Sequence, residues 1–192
     1  MSLTVITPPT ETVVDPADLR SQLRLDSTDQ DADLTAWLTA ATGLLEAATQ
    51  RRFLTQVLAW TLPAWPAIRF RLPVAPVAPD GVASIAYVDT NGATQTLSAS
   101  AYVVSRCGET VEIRPTSTTT WPSLSLDAVE PVKITFTAGE AAADVDPMIK
   151  QAARLLVAHF NRYRGDDDQP PPLSSSNLPS AVEALIAPWR WA

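Results

Sequence analysis

The chain has a single histidine, His159, and a single cysteine, Cys107. One imidazole removes most Ser-His-Asp and Cys-His arrangements at once, because each needs a histidine beside a nucleophile and a third group to orient it. His159 stands between Ala158 and Phe160 on a segment of helical periodicity. No carboxylate partner is identifiable that would make it a proton shuttle, so it reads as structural. Cys107 cannot form an internal disulfide or build a thiolate zinc site alone. It reads as a small side chain near a turn. Asp166, Asp167 and Asp168 offer oxygen donors of the kind a divalent cation takes. They lack EF-hand spacing and run into three prolines, which reads as a solvated acidic loop. The six glycines contain neither G-x-G-x-x-G nor G-x-x-x-x-G-K-[ST], so no phosphate cradle is expected. Glu11, Asp15 and Asp18 lie close together, but no pair stands out as an acid–base couple. The hydroxyl-rich "TSTTTW" over 116–121 could be a glycan or surface patch and reads as a mobile loop. No catalytic residue, cofactor or metal is expected.

Trp189, Arg190 and Trp191 remain, and tryptophan and arginine are the residue types most enriched at binding hot spots. Two surfaces could receive them. The tail could fold back into a groove beside its own central helix, as terminal helices often do. Alternatively it could act as a tethered anchor in a neighbouring subunit. A charged, Pro-rich and Ser-rich linker precedes it, "DDDQPPPLSSSN", whose reach favours the anchor.

The whole-chain balance narrows the partners. With 14 Lys+Arg against 21 Asp+Glu, the net charge is −7. Sequence-independent gripping of DNA needs a basic footprint that this chain lacks. A smooth-walled channel that repels phosphate is compatible with the charge. Hydrophobic residues make up 46% of 192, enough for a real core and against disorder. The N-terminal "MSLTVITPPTETVV" does not read as a secretory signal, and no stretch approaches the ~20 apolar residues of a membrane span.

The elements that would position these residues alternate in texture. Asp15-Pro16 offers an N-cap and N1 pair, with Val14 and Leu19 as a hydrophobic staple, for a short helix over 16–25 that opens the ordered part. In "STDQDADLTAWLTAATGLLEAATQRRF", Ser27 and Gln30 have capping-box spacing. Leu34, Trp37, Leu38, Ala41, Leu44, Leu45 and Ala48 then follow helical periodicity. Gly43 would mark close helix packing. From about residue 56 the texture is β-branched and punctuated. Asn91-Gly92 and Cys107-Gly108-Glu109 are hairpin turns, and Ile68, Phe70 and Leu72 alternate with Arg69 and Arg71 as on a half-buried strand. Five or six antiparallel strands are expected there. Asp146-Pro147 opens a central helix faced by Ile149, Ala152, Ala153, Leu156, Phe160 and Tyr163, with Gly165 at its C′ position. Ser180 and Glu183 have capping-box spacing for a last short helix that Pro188 stops.

The expected fold class is α+β: a small antiparallel helical bundle, an inserted antiparallel β segment and a C-terminal docking helix. The divisions fall at 1–56 for the N-terminal helices, 57–144 for the β insertion, 145–165 for the central helix, 166–177 for the linker and 178–192 for the docking segment.

The order and spacing of "DPADLRSQLRLD", "DADLTAWLTAATGLLEAATQRRF", "YVDTNGATQTL", "ITFTAG", "DPMIKQAARLLVAHFNRYRG" and "LPSAVEALIAPWRW" span nearly the whole chain. The pattern resembles the head–tail connector (adaptor) proteins of long-tailed bacteriophages and gene transfer agents. That resemblance implies a non-enzymatic virion protein at the neck, assembled in the bacterial cytoplasm. It implies a homo-oligomeric ring, a dodecamer, below the portal protein. The ring would extend the DNA channel without specific DNA binding and present a surface to a stopper or tail-side connector protein. The resemblance carries the portal contact to Leu178, Val182, Leu185, Ile186, Trp189, Arg190 and Trp191. Two departures are visible: "HFNRYRG" is less aromatic than the family's run there, and "WRW" is bulkier. The competing reading is a small hydrolase or carbohydrate-binding module using the β insertion and the acidic loop. It requires a concave pocket with convergent polar groups.

Overall fold

A computed structural model of the chain describes residues 1–66, 68–163 and 173–190. The fold is α+β, and the chain divides into two compact units. Met1–Pro9 and Thr55–Gly139 form a β unit, and Thr10–Leu54 and Glu140–Ala192 form a helical unit.

In the helical unit, α1 (Pro16–Leu23) starts where Asp15 accepts a hydrogen bond from the Ala17 N–H at 2.8 Å, with Pro16 at the first helical position. It stops at Arg24, which turns into the left-handed region at φ 55°. Val14 and Leu19, the expected staple pair, are both buried in the helical core.

The second helix, α2 (Asp31–Thr49), begins three residues later than the capping-box spacing suggests. The Ser27 hydroxyl donates to the Asp29 carboxylate at 3.0 Å, and the Gln30 side chain does not cap the helix. A local side-chain turn has taken the serine that the box required. Asp31 and Asp33 in the first turn offset the loss by facing the positive end of the helix dipole, and Asp31 also pairs with Arg20. Leu34, Leu38, Ala41 and Leu45 are buried, and Trp37, Leu44 and Ala48 pack beside them. Gly43 contradicts the expectation of close packing. It is exposed, and a Cβ there would meet no atom within 4 Å.

The third helix, α3 (Pro147–Arg162), is capped as expected, the Asp146 carboxylate accepting from the Met148 N–H at 2.7 Å. Ile149, Ala152, Ala153, Leu156 and Val157 are buried against α2, with Phe160 half-buried. An ion pair at 3.0 Å between Arg154 and Asp18 ties α3 to α1. The expected C′ residue, Gly165, lies outside the described residues, as do Asp166, Asp167 and Asp168.

The β unit has eight described strands, not five or six. The additional ones come from the N-terminus and from short pairings. Ser2–Thr7, expected to precede the ordered chain, forms β1 against β2 (Gln56–Leu62), with Ser2 opposite Thr61 and Val5 opposite Leu58. The remaining strands are β3 (Phe70–Arg71), β4 (Val82–Val88), β5 (Thr94–Thr96), β6 (Tyr102–Cys107), β7 (Thr110–Pro115) and β8 (Val132–Ala138). They make an antiparallel five-stranded sheet of order β1-β2-β8-β4-β5 and a three-stranded sheet of order β3-β7-β6. Leu58, Ile85, Ile134 and Phe136 of the first sheet and Ile113 and Val111 of the second share one core.

Both expected hairpin turns form. Gly92 takes φ 80° between β4 and β5, and Gly108 takes φ 65° between Cys107 and Thr110. Ile68 departs from its expected place. Only Phe70 and Arg71 pair with β7, so the alternation does not reach back past Phe70, and Ile68 is 81% exposed. Phe70 and Leu72 are buried as expected. The 116–121 segment is a loop. The Thr119 hydroxyl donates to the Ala101 carbonyl at 2.8 Å, and Trp121 stacks on Trp65 with ring centroids 4.6 Å apart.

Candidate functional site

The C-terminal segment begins with a tight turn in which Ser174 and Asn177 exchange backbone hydrogen bonds at 3.3 and 3.0 Å. It continues into α4 (Ser180–Ile186). The Ser180–Glu183 capping box does not form, because Ser180 is already the first helical residue and Pro179 occupies the cap. The Pro179 carbonyl instead accepts the N–H groups of Val182 at 2.8 Å and Glu183 at 3.0 Å. The α-helix ends at Ile186, and the chain tightens into a single 3-10 turn, Ala187–Trp189, around Pro188.

Val182 and Ile186, four apart, share one face of α4, Leu178 precedes the helix, and all three are buried in the helical core, with α3 as the adjoining helix. Leu185 and Trp189 pack half-buried beside them. Of the two surfaces left open by the sequence, the described part of the tail occupies the groove of its own helical unit. Trp189 lies under the Arg51 guanidinium, 5.0 Å from Cζ to the ring centroid. Arg190 is exposed and faces Glu183 at 3.6 Å. Trp191 lies outside the described residues. Composition had marked Trp189; the contribution of Arg51 was not anticipated.

The helical unit also has an open cleft of about 500 Å³, lined by Thr10 to Pro16, Asp18, Ala142, Ala143, Lys150 and Arg154. Its polar groups are engaged with one another. Glu11 accepts from the Ala142 N–H at 3.1 Å, the Lys150 ammonium donates to the Ala143 carbonyl at 3.2 Å, and Arg154 holds Asp18. The cleft therefore presents one ion pair and two charged side chains bonded to backbone groups. His159 is not among the lining residues. Its ring packs 4.7 Å from that of Tyr163, and burial, then the Arg162 charge, hold its pKa below the usual 6.5. In the β unit, Asp89 and Glu130 have lowered pKa values. The Asp89 carboxylate is held down first by the Ala93 N–H, and Glu130 by the Thr61 hydroxyl. Each of these contacts organises a turn or a strand end. Among the described residues no group of three or more His, Cys, Asp or Glu is placed to hold a metal ion, and no helix is long and apolar enough to cross a membrane.

No known protein family matches the sequence, and no curated protein does. Solved structures match over the entire chain. A chain in the neck of an empty gene transfer agent particle, computed with C6 symmetry, is 27% identical with a TM-score of 0.80, covering 100% of this chain and 96% of that one. The same identity and coverage hold for a chain of the virion of a native gene transfer agent particle, at a TM-score of 0.78. They hold again for the neck of a native particle computed with C12 symmetry, at 0.77. The likeness therefore includes both the helical and the β unit.

Proposed function

We propose that the protein is a structural, non-enzymatic component of the neck of a phage-like particle of the gene transfer agent type. The observation that carries this reading is the match over the full chain at 27% identity and a TM-score of 0.80 to a chain of such a neck. In finer detail, the protein assembles as a ring of twelve copies below the portal, extends the DNA channel and meets a stopper or tail-side protein. The C12 symmetry of a similar neck supports the copy number. The net charge of −7 supports a channel wall that repels phosphate, so that DNA slides without sticking.

The portal contact belongs to the C-terminal segment. Leu178, Val182 and Ile186 fix its position by filling the helical core, while Arg190 and the outward side of α4 remain available. Leu185, Trp189 and Trp191 complete the proposed contact.

The test is co-sedimentation with the portal protein. Full-length chain is expected to co-sediment, and Arg190→Glu to weaken the association with the fold intact by circular dichroism. Truncation after Asn177 is expected to abolish it. Unchanged binding by both variants would sink the portal role. Loss of the monomer's fold on truncation alone, with Arg190→Glu binding normally, would assign the segment to stability only.

A further inference from the structure

The two units use their arginines differently. In the helical unit Arg20, Arg52, Arg154 and Arg190 pair with Asp31, Glu46, Asp18 and Glu183. Arg51 lies over Trp189 and Arg162 over Tyr163. In the β unit Arg69, Arg71, Arg106 and Arg114 are all exposed, and among the described residues none of the four makes a hydrogen bond or an ion pair.

Strand register gathers two of them on one face. In the three-stranded sheet Arg71 stands opposite Glu112, and Arg114 opposite Val103. Residues two apart on a strand share a face, so Arg71, Glu112 and Arg114 lie together, on the side away from core residues Phe70 and Ile113. Arg69, two residues before Arg71, adds a third charge beside them, while Arg106, opposite Val111, belongs to the other face. Glu112 is the one acid within the three strands. Glu109 stands in the turn between β6 and β7, and Asp80 in the 3-10 turn Pro79–Gly81. None of these acids neutralises an arginine of the face. Arginines that repel one another across adjacent strands, with no ion pair to hold them, are set for carboxylates from outside.

The matching carboxylates are on this chain. Glu112, between the arginines, opposes a row of phosphates, and gripping DNA needs a longer basic footprint. The helical unit has nine Lys+Arg against fifteen Asp+Glu, and the β unit five against six. Most described acids of the helical unit are engaged: Asp18, Asp31, Glu46 and Glu183 in the ion pairs above, Asp15 and Asp146 as caps, Glu11 on the Ala142 N–H. Glu140 and Asp144 remain, and so do Asp26, Asp29 and Asp33 ahead of and entering α2. Those last three are exposed within one short stretch and meet no cation among the described residues; exposed Arg24 nearby leaves them in excess. A ring multiplies this acidic excess unless each copy meets cations of its neighbour, and head-to-tail closure joins two different patches of one chain. We infer that Arg71 and Arg114 of one copy hold Asp26, Asp29 and Asp33 of the next. This deepens the neck reading and rests on its ring of copies.

The test uses particles purified from producing cells. Immunoblotting for the unaltered chain reports on the neck reading by itself; its absence would overturn that reading and this inference with it. Cys107→Ser clears the single native cysteine, and Arg71→Cys with Asp29→Cys then places one thiol on each side of the proposed contact. A short bismaleimide is expected to link this chain into dimers and higher multimers of itself, and to leave chains with either new cysteine alone as monomers. Arg71→Glu combined with Arg114→Glu is expected to lower the chain's content in particles at least about tenfold. Adding Asp26→Arg and Asp29→Arg is expected to restore it. The purified variants should keep their urea midpoints, since all four side chains are exposed. Crosslinking to a different polypeptide or to none, normal content of the Glu variant, or no recovery with the added arginines would each overturn the inference. Retention of the purified chain on double-stranded DNA, lost in the Glu variant, would assign the arginines to phosphate and overturn it as well.

Discussion

Arg51 holds its guanidinium 5.0 Å above the ring of Trp189, joining the chain just after α2 to the chain just after α4. Arg51 is 8% exposed, so the contact is largely desolvated, where cation–π attraction reaches about 2 kcal/mol. The indole N–H of the same tryptophan is buried without a hydrogen-bond acceptor among the described residues, a cost of roughly 1–3 kcal/mol. The two terms oppose each other, which makes the site informative. Trp189→Ala is expected to destabilise the chain by about 2 kcal/mol, at the lower end for a half-buried aromatic. Trp189→Phe keeps a ring under Arg51 and removes the unpaired donor, so it is expected to be nearly neutral. Urea unfolding of both variants checks this. Equal losses would show that the cation–π contact is not what the ring contributes.

Ile186 anchors the same segment from below. It is fully buried among α-helical core residues at the last turn of α4. Ile186→Ala is expected to cost about 2–5 kcal/mol by the ordinary arithmetic of lost apolar burial plus a residual cavity. If the midpoint in urea does not move, the tail is not docked on its own core in solution.

Two glycines make opposite predictions. Gly43 lies exposed inside α2 with open space where a Cβ would stand, so Gly43→Ala is expected to stabilise by about 0.5–1 kcal/mol through helix propensity. At Gly81, a Cβ would come within 2.9 Å of the Thr137 carbonyl oxygen, a backbone atom of the central strand β8. Gly81→Ala must displace that strand or its own turn, and it is expected to lower the melting temperature. Thermal unfolding of the two variants side by side separates them. A rise at both positions would contradict the close approach at Gly81.

What the sequence made legible was mostly local. Asp15 and Asp146 act as caps because each is followed by proline at the first helical position, so two independent signals agree. The two Ser-x-x-Glu/Gln signals rested on spacing alone, and both failed. Ser27 bonded Asp29, and Ser180 fell inside its helix. The first strand was invisible because its partner lies more than fifty residues away, and pairing at that distance leaves no local trace. The tail residues were recognisable by type. Their surface was not, since Leu178, Val182 and Ile186 suit a groove on the same chain as well as one on another.

The Asn91-Gly92 turn depends on Asp89 as much as on glycine. The Asp89 carboxylate accepts the N–H groups of Asn91 at 2.9 Å and Ala93 at 3.0 Å, and the Gln95 amide at 3.1 Å. Those bonds favour the ionised form and lower its pKa below 3.8, with the Ala93 N–H the largest cause. A carboxylate with a depressed folded pKa adds stability that is present above its unfolded value and lost as pH falls through the folded one. Asp89→Ala is therefore expected to loosen the hairpin at neutral pH. Amide hydrogen exchange at Asn91 and Ala93 should accelerate, and unchanged protection would remove the carboxylate from the account of this turn.

His159 sets the sign of a second pH dependence. Burial on α3, then the neighbouring Arg162 charge, hold its pKa below 6.5 in the folded chain. The unfolded imidazole takes up a proton at higher pH than the folded one does. Between the two values the unfolded state binds more protons, so stability rises with pH in that window. The contribution is present above about 6.5 and is lost as pH falls toward and through the folded value. His159→Gln removes the titrating group while keeping a polar side chain of similar length. The expected outcome is that the difference in urea midpoint between about pH 7.5 and about pH 5.5 shrinks in the variant. Carboxylates that titrate lower in the range contribute equally to both proteins and cancel in that comparison. A difference that stays the same would mean that the ring against Tyr163 is as solvated in the folded chain as in the unfolded one.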